Sequence, residues 1–155
     1  MTEADFGLIT RFNQNSPYTP FERFYVGGDG LTGYAIAGQE YVRVRGFTSP
    51  DDILKSSNGE QGATAYNKYT FELRYSIINS QAASIYVLGF ADAANAWNRP
   101  KEFNPFELKR SAGVGIRLFL PMFGLLGLDW GYPIDAPLNT KQEGHLNFYI
   151  GQPLF

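Results

Sequence analysis

From residue 63 onward, apolar and polar positions alternate with a period of two, which predicts half-buried strands rather than helices. Over 68–77, Tyr69, Phe71, Leu73, Tyr75 and Ile77 share one face, while Lys68, Thr70, Glu72, Arg74 and Ser76 share the other. Residues 78–81 read as a short turn. A second strand, from Ala83 to about Ala93, is apolar on both parities, so counting does not assign Asp92 a side. Asn98-Arg99-Pro100 opens a loop that runs to about Glu107. A third strand, 109–120, sets Ala112, Val114, Ile116 and Leu118 against Ser111, Gly113, Gly115 and Arg117. Beyond a tight turn at 121–124, a fourth strand over 125–134 sets Leu126, Leu128, Trp130 and Tyr132 against Gly127, Asp129 and Gly131. Residues 135–144 read as a polar loop, and a last strand runs from His145 to Phe155.

The stretch before residue 63 has a different texture. Residues 5–12 read as the end of a strand. Residues 13–62 carry turn punctuation at Ser16-Pro17, Thr19-Pro20, Gly27-Gly28 and Asp29-Gly30, interrupted by Tyr18, Phe21, Phe24, Tyr25, Tyr34 and Tyr41. A connection of that length without much secondary structure is either functional or disordered, and its aromatics favour a functional loop that folds back and packs.

Short turns alternate with long loops, aromatics sit near strand ends, and glycines and charges occupy the opposite face. That pattern predicts an all-β fold, a portion of an antiparallel transmembrane β-barrel that is apolar outside and polar in its lumen. The competing reading is a soluble β-sheet binding domain, whose strands also alternate. Against it, Glu72, Arg74, Arg117 and Asp129 all lie on the minority face, where a dry core would bury them unpaired. Five full strands and one partial strand fall short of the about eight that close a membrane barrel. The chain is therefore expected to be the end of a larger barrel or an open sheet.

Composition agrees with strands that keep one face on something greasy. Only 18% of residues are charged while 16% are aromatic, with 10 Tyr and 13 Phe, against roughly a quarter charged in ordinary soluble domains. A formal net charge of −2 leaves no footprint for nucleic acid. With no cysteine and a single histidine, His145, the chain offers no disulfide framework, thiolate site or His-based triad, and neither metal nor cofactor is expected. No apolar run reaches the roughly 18 residues a membrane helix needs, and Met1-Thr2-Glu3 does not begin a secretory signal.

Candidate chemistry gathers in Glu40-Tyr-Val-Arg-Val-Arg-Gly-Phe47, where two arginines alternate with valines and run into a glycine and an aromatic. Arg45 is permanently charged and forked, so it suits pairing with carboxylates. Gly46 allows a sharp turn or a close approach to another wall. Glu72 is a candidate partner on the polar face, and Asp92 is another on the next strand.

These residues carry a resemblance. Pro20-Phe-Glu-Arg-Phe-Tyr-Val-Gly-Gly28 followed by Val44-Arg45-Gly46-Phe47 resembles the sixth extracellular loop of outer-membrane assembly factors of the BamA type, within the bacterial surface-antigen superfamily. Phe71-Glu-Leu73, Gly89–Trp97, Ser111–Pro121, Gly127–Pro133 and His145–Phe155 resemble the strands that follow, in the family's order, so the likeness covers residues 1–155. It implies a barrel of sixteen strands preceded by periplasmic repeats. On that reading residues 1–12 end the eleventh strand, 13–62 form the sixth loop, and 63–155 supply the last five strands. The signal and repeats would then be carried by a part of the protein not included here. The resemblance also implies that the loop folds into the lumen, and that Arg45 meets Glu72 and Asp92 as a latch.

Insertion in this family is thought to use the seam between first and last strands, where a weakly paired strand accepts an incoming one. Gly151 and Pro153 would weaken pairing at that edge. Leu146, Phe148, Ile150 and Leu154 share the outward parity, whereas Phe155 falls on the other, unlike the usual family ending; a C-terminal aromatic also serves as a recognition signal. The implied function is non-enzymatic insertion and assembly of outer-membrane proteins at the cell outer membrane. Its implied partners are outer-membrane lipid, unfolded outer-membrane protein substrates and accessory assembly lipoproteins. A polypeptide translocation pore of the same superfamily is the alternative. A glycosidase-like reading of Glu72 and Asp92 as paired carboxylates lacks a supporting pocket, metal set or nucleophile motif.

Overall fold

In the computed structural model, residues 1–9, 23–28, 40–54, 62–80, 83–121 and 124–151 are described. Six strands form one antiparallel sheet. In their order across it they are β1 (Thr2–Leu8), β4 (Ala65–Asn79), β5 (Ser84–Trp97), β6 (Lys109–Leu120), β7 (Gly124–Pro133) and β8 (His145–Gly151). The sheet is open, with β1 and β8 at its edges. Two short strands, β2 (Phe24–Val26) and β3 (Glu40–Val42), pair in parallel as a separate ribbon within the long connection between β1 and β4.

The period-two pattern becomes two unlike faces. Leu73, Tyr75, Val114, Trp130, Leu146, Phe148 and Ile150 project outward and are all exposed, Tyr75 to 72%. Thr70, Glu72, Asp92, Ser111, Arg117, Asp129 and Asn147 point to the other face and are buried. A water-soluble sheet buries its apolar face, and this one exposes it. The inversion is what lipid outside and a polar lumen require. Among the described residues no helix is long and apolar enough to cross a membrane. The two rims differ as well. The connections 9–64, 98–108 and 134–144 leave from one rim, while the shorter links between β4 and β5 and between β6 and β7 leave from the other.

Several boundaries differ from the sequence expectation. β1 starts at Thr2, three positions before Asp5, because Thr2 already pairs with Phe71; residues 10–12 lie outside the described residues. β5 continues past Ala93 to Trp97, because Ala94, Asn95, Ala96 and Trp97 stay buried on or beside the loop-facing side. β4 reaches Asn79 through a register shift between Ser76 and Ile78, so the link to β5 falls at 80–83 and not at the expected 78–81. The long connection is also more regular than expected, since it carries the β2–β3 ribbon and a 3-10 turn at Pro50–Asp52.

The apolar core sits between that connection and the inner face of the sheet. Phe24, Val26, Val42, Val44, Phe47 and Ile53 from the loop pack on Ala63, Tyr66, Ala94 and Ala96. Phe24 meets Tyr66 edge to face at 4.7 Å between ring centroids. Alanine at 94 and 96 keeps the wall low enough for the loop to lie against it. Main-chain bonds tie the connection to itself: Phe24 and Ala63 exchange N–H···O bonds of 2.9 and 2.7 Å, and the Gly28 N–H donates to the Phe47 carbonyl at 3.0 Å.

The outward face yields a direct prediction. Val114, mid-strand in β6 and 58% exposed, should tolerate leucine but not arginine in a lipid-embedded barrel. Val114→Arg is expected to cost about 2–4 kcal/mol in urea unfolding of the complete protein in vesicles. Equal midpoints for Val114→Arg and wild type would mean that this face does not meet lipid.

Candidate functional site

The site begins with a turn. Val44 and Phe47 are 0% and 1% exposed in the loop core, and the Phe47 N–H points back to the Val44 carbonyl at 3.4 Å. Arg45 and Gly46 are the middle of that turn, and Gly46 adopts φ +87°, a region glycine enters freely. With its neighbours fixed upward in the core, Arg45 is driven down onto the sheet. A β-carbon at Gly46 would come within 2.9 Å of the Ser111 side chain, and one at Gly131 within 2.7 Å of the Gly46 nitrogen. The two glycines let loop and wall approach backbone to backbone.

Arg45 is held on every side. Its Nε and Nη2 donate to Asp92 Oδ2 and Oδ1, each at 2.8 Å, as a parallel fork. Its Nη1 donates to Glu72 Oε2 at 3.0 Å. Its backbone N–H reaches Asp92 at 3.3 Å, and its carbonyl accepts a short bond from the Ser111 hydroxyl. The guanidinium also lies over the Phe90 ring, 3.7 Å from the centroid. The side chains of Arg45, Glu72 and Asp92 are 8%, 8% and 1% exposed, so this is a buried ion triad and not a surface pair. Burial alone would lower the Arg45 pKa, and the Asp92 and Glu72 carboxylates raise it instead. Glu72 additionally accepts from Arg74 Nε at 2.6 Å. The register explains the convergence. Thr70 pairs with Asp92 and Glu72 with Phe90, so the two acids are diagonal neighbours on one face of adjacent strands.

Two further fastenings were not singled out from the sequence. Asp129 on β7, 0% exposed, takes Arg117 of β6 as a fork at 2.5 and 2.9 Å, and Arg43 of the loop at 2.9 Å. Gly115 provides the space, since a β-carbon there would collide with Asp129 Oδ1. The polar parity of Arg117 and Asp129 was legible; that Arg43 would join them depends on where the loop lands. Asp52 is the second: it closes a capping box with Ser49 and is 0% exposed. The Ser49-Pro-Asp-Asp52 spacing is a capping signal that sequence inspection could have used.

Below the loop, Arg43, Arg45, Glu72, Arg74 and Arg117 line a cavity of about 600 Å³ open to one side. Among the described residues no group of three or more histidine or acidic side chains is placed to hold a metal ion. The residues singled out at the last strand lie apart from this cluster. Phe148 and Ile150 project outward, and Gly151 still pairs with Leu125. Pro153 and Phe155 lie outside the described residues.

A family model described as the Omp85 superfamily domain matches residues 1–153, and the chain belongs to that superfamily. No curated protein matches it. Proteins of the superfamily reside in the outer membrane and take part in inserting or translocating proteins there.

Two glycines separate the inner face from the outer. A β-carbon at Gly115 displaces the Asp129 carboxylate, whereas one at Gly89 meets nothing within 4 Å. Gly115→Ala is expected to destabilise the complete barrel by roughly 1–3 kcal/mol, and Gly89→Ala to be neutral or mildly stabilising. Denaturant midpoints measured side by side check this, and equal effects would contradict the packing described.

Proposed function

We propose that this chain is the closing part of a BamA-like barrel that assembles other outer-membrane proteins, and that Arg45 latches its inward-folded loop to the wall. In this reading residues 1–12 end one strand, 13–62 form the sixth extracellular loop, and 63–155 form the last five strands. The observation that carries the latch is the Arg45 guanidinium shared between Asp92 and Glu72 on adjacent strands while nearly excluded from water. A loop held only by surface contacts would not need to bury three charges.

The work done is mechanical and non-enzymatic. The latch braces the wall from inside while β8, at the edge of the described sheet, is where backbone donors and acceptors would meet an incoming strand. The partners are therefore unfolded outer-membrane proteins, the surrounding lipid and accessory lipoproteins. The exposed outward row Leu146, Phe148 and Ile150 suits the lipid contact. A translocation pore of the same superfamily would use the same latch to gate its lumen, and the charged cavity beneath the loop is the feature that favours it.

Arg45→Ala in the full-length protein is expected to leave two carboxylates facing each other, loosen the loop and expose it to added protease. It is also expected to slow insertion of a reporter barrel into vesicles. Arg45→Lys should recover little of either, because an ammonium cannot fork across Asp92 and reach Glu72 together. Wild-type protease resistance and insertion in Arg45→Ala would overturn the latch. Impaired passage of polypeptide with normal insertion would favour the pore.

A further inference from the structure

A carboxylate that only capped the 3-10 turn at Pro50–Asp52 would bond within the turn. Asp52 does that through Oδ2, which accepts from the Thr48 N–H at 3.0 Å, the Thr48 hydroxyl at 3.0 Å and the Ser49 N–H at 3.1 Å. It also does something else. Its Oδ1 accepts from the Thr140 N–H at 3.1 Å, and its main-chain carbonyl accepts from the Leu138 N–H at 2.9 Å. Leu138 and Thr140 belong to the connection between β7 and β8. We propose that Asp52 is a positioning residue that fastens the long loop to the β7–β8 hairpin, and through it fixes the edge strand β8.

The surroundings make this bond consequential. Residues 138–144 are exposed, so this stretch has little burial of its own to order it. The start of the connection is secured separately, to β6. Arg110 forks onto Asp135 at 2.9 and 3.0 Å and holds that carboxyl below the usual range, and Lys109 donates to the Ala136 carbonyl at 2.8 Å. Gln142 folds back on the Pro133 and Ile134 carbonyls at 3.0 and 2.8 Å. Of the bonds described for 137–144, those to Asp52 are the ones that reach the long loop. β8 follows directly and, among the described strands, neighbours β7 at the sheet edge. Whatever moves the loop therefore pulls on the strand at the sheet edge.

The consequence for strand addition at β8 rests on the latch reading, whereas the fastening itself does not. The test is hydrogen exchange of the full-length protein in lipid, comparing wild type, Asp52→Asn, Asp52→Ala and Arg45→Ala. In Asp52→Asn the one remaining oxygen should stay with the three donors of Thr48 and Ser49. The new amide N–H₂ then faces the Thr140 N–H, and that bond is lost while the turn survives. Exchange at Thr140 should rise roughly tenfold and carry into 145–151, with 43–47 unchanged and Leu138 still held by the main-chain carbonyl of residue 52. Asp52→Ala should show the same rise together with fraying of 48–53. Wild-type exchange over 134–151 in both Asp52 variants would overturn the proposal. Should Arg45→Ala leave proteolysis and insertion intact, the latch reading fails, yet accelerated exchange at Thr140 in Asp52→Asn would still establish the fastening.

Discussion

Two carboxylates on neighbouring strands, pointing the same way and shielded from water, are a liability that the rest of this fold is arranged to resolve. Glu72 and Asp92 sit diagonally on the inner face of β4 and β5. Left alone, they would repel each other and lack solvation. Arg45 resolves this with a fork on one and a single bond on the other. The guanidinium is equally dependent on them, because removing one partner from a buried pair costs about 3–5 kcal/mol. A partly wet lumen lowers that figure, and Arg74 on Glu72 lowers it further for that side. Asp92, with the fork and the Arg45 backbone N–H, is the firmer of the two anchors.

The triad needs the loop to come close, and small residues grant the approach. Ala94 and Ala96 lie beneath the loop core, Gly131 lies against Gly46, and Gly115 leaves room for Asp129. The sheet thus invests its inner face in space and charge, and its outer face in bulk. Both choices cost a soluble protein stability and suit a wall with lipid on one side. The loop then touches the sheet at successive points along Arg43–Asp52. Arg45 reaches β4 and β5, Ser111 of β6 bonds the Arg45 carbonyl, Arg43 reaches Asp129 on β7, and Asp52 reaches the connection to β8. It works as a strap across the strands.

Much of this was legible in the residue order. The alternation over 68–77 and 109–120 placed Glu72, Arg117 and Ser111 on the inner face and Leu73, Val114 and Tyr75 on the outer one. The antiparallel order of the later strands followed from their short and long connections. Alternation did not assign Asp92 a side, because β5 is apolar on both parities, and only the family resemblance named it as a partner of Arg45; its side is set by pairing with Thr70 and Ser111. The end of β5 was missed for a related reason. Ala94 and Ala96 look indifferent in sequence, yet they are buried by a loop that arrives from elsewhere in the chain. Arg43 and Asp52 were passed over because their partners, Asp129 and Thr140, lie 86 and 88 residues away. No local pattern encodes such a distance.

The account stands or falls on whether Arg45 and Asp92 act as one unit. A double-mutant cycle on the complete barrel in vesicles, combining Arg45→Ala with Asp92→Ala, measures that coupling directly. Each single change strands the other's charge, so the double variant should be less destabilised than the sum of the two, with a coupling of about 2–3 kcal/mol. Additive effects, within about 0.5 kcal/mol, would mean that the guanidinium and the carboxylate do not hold the loop to the wall.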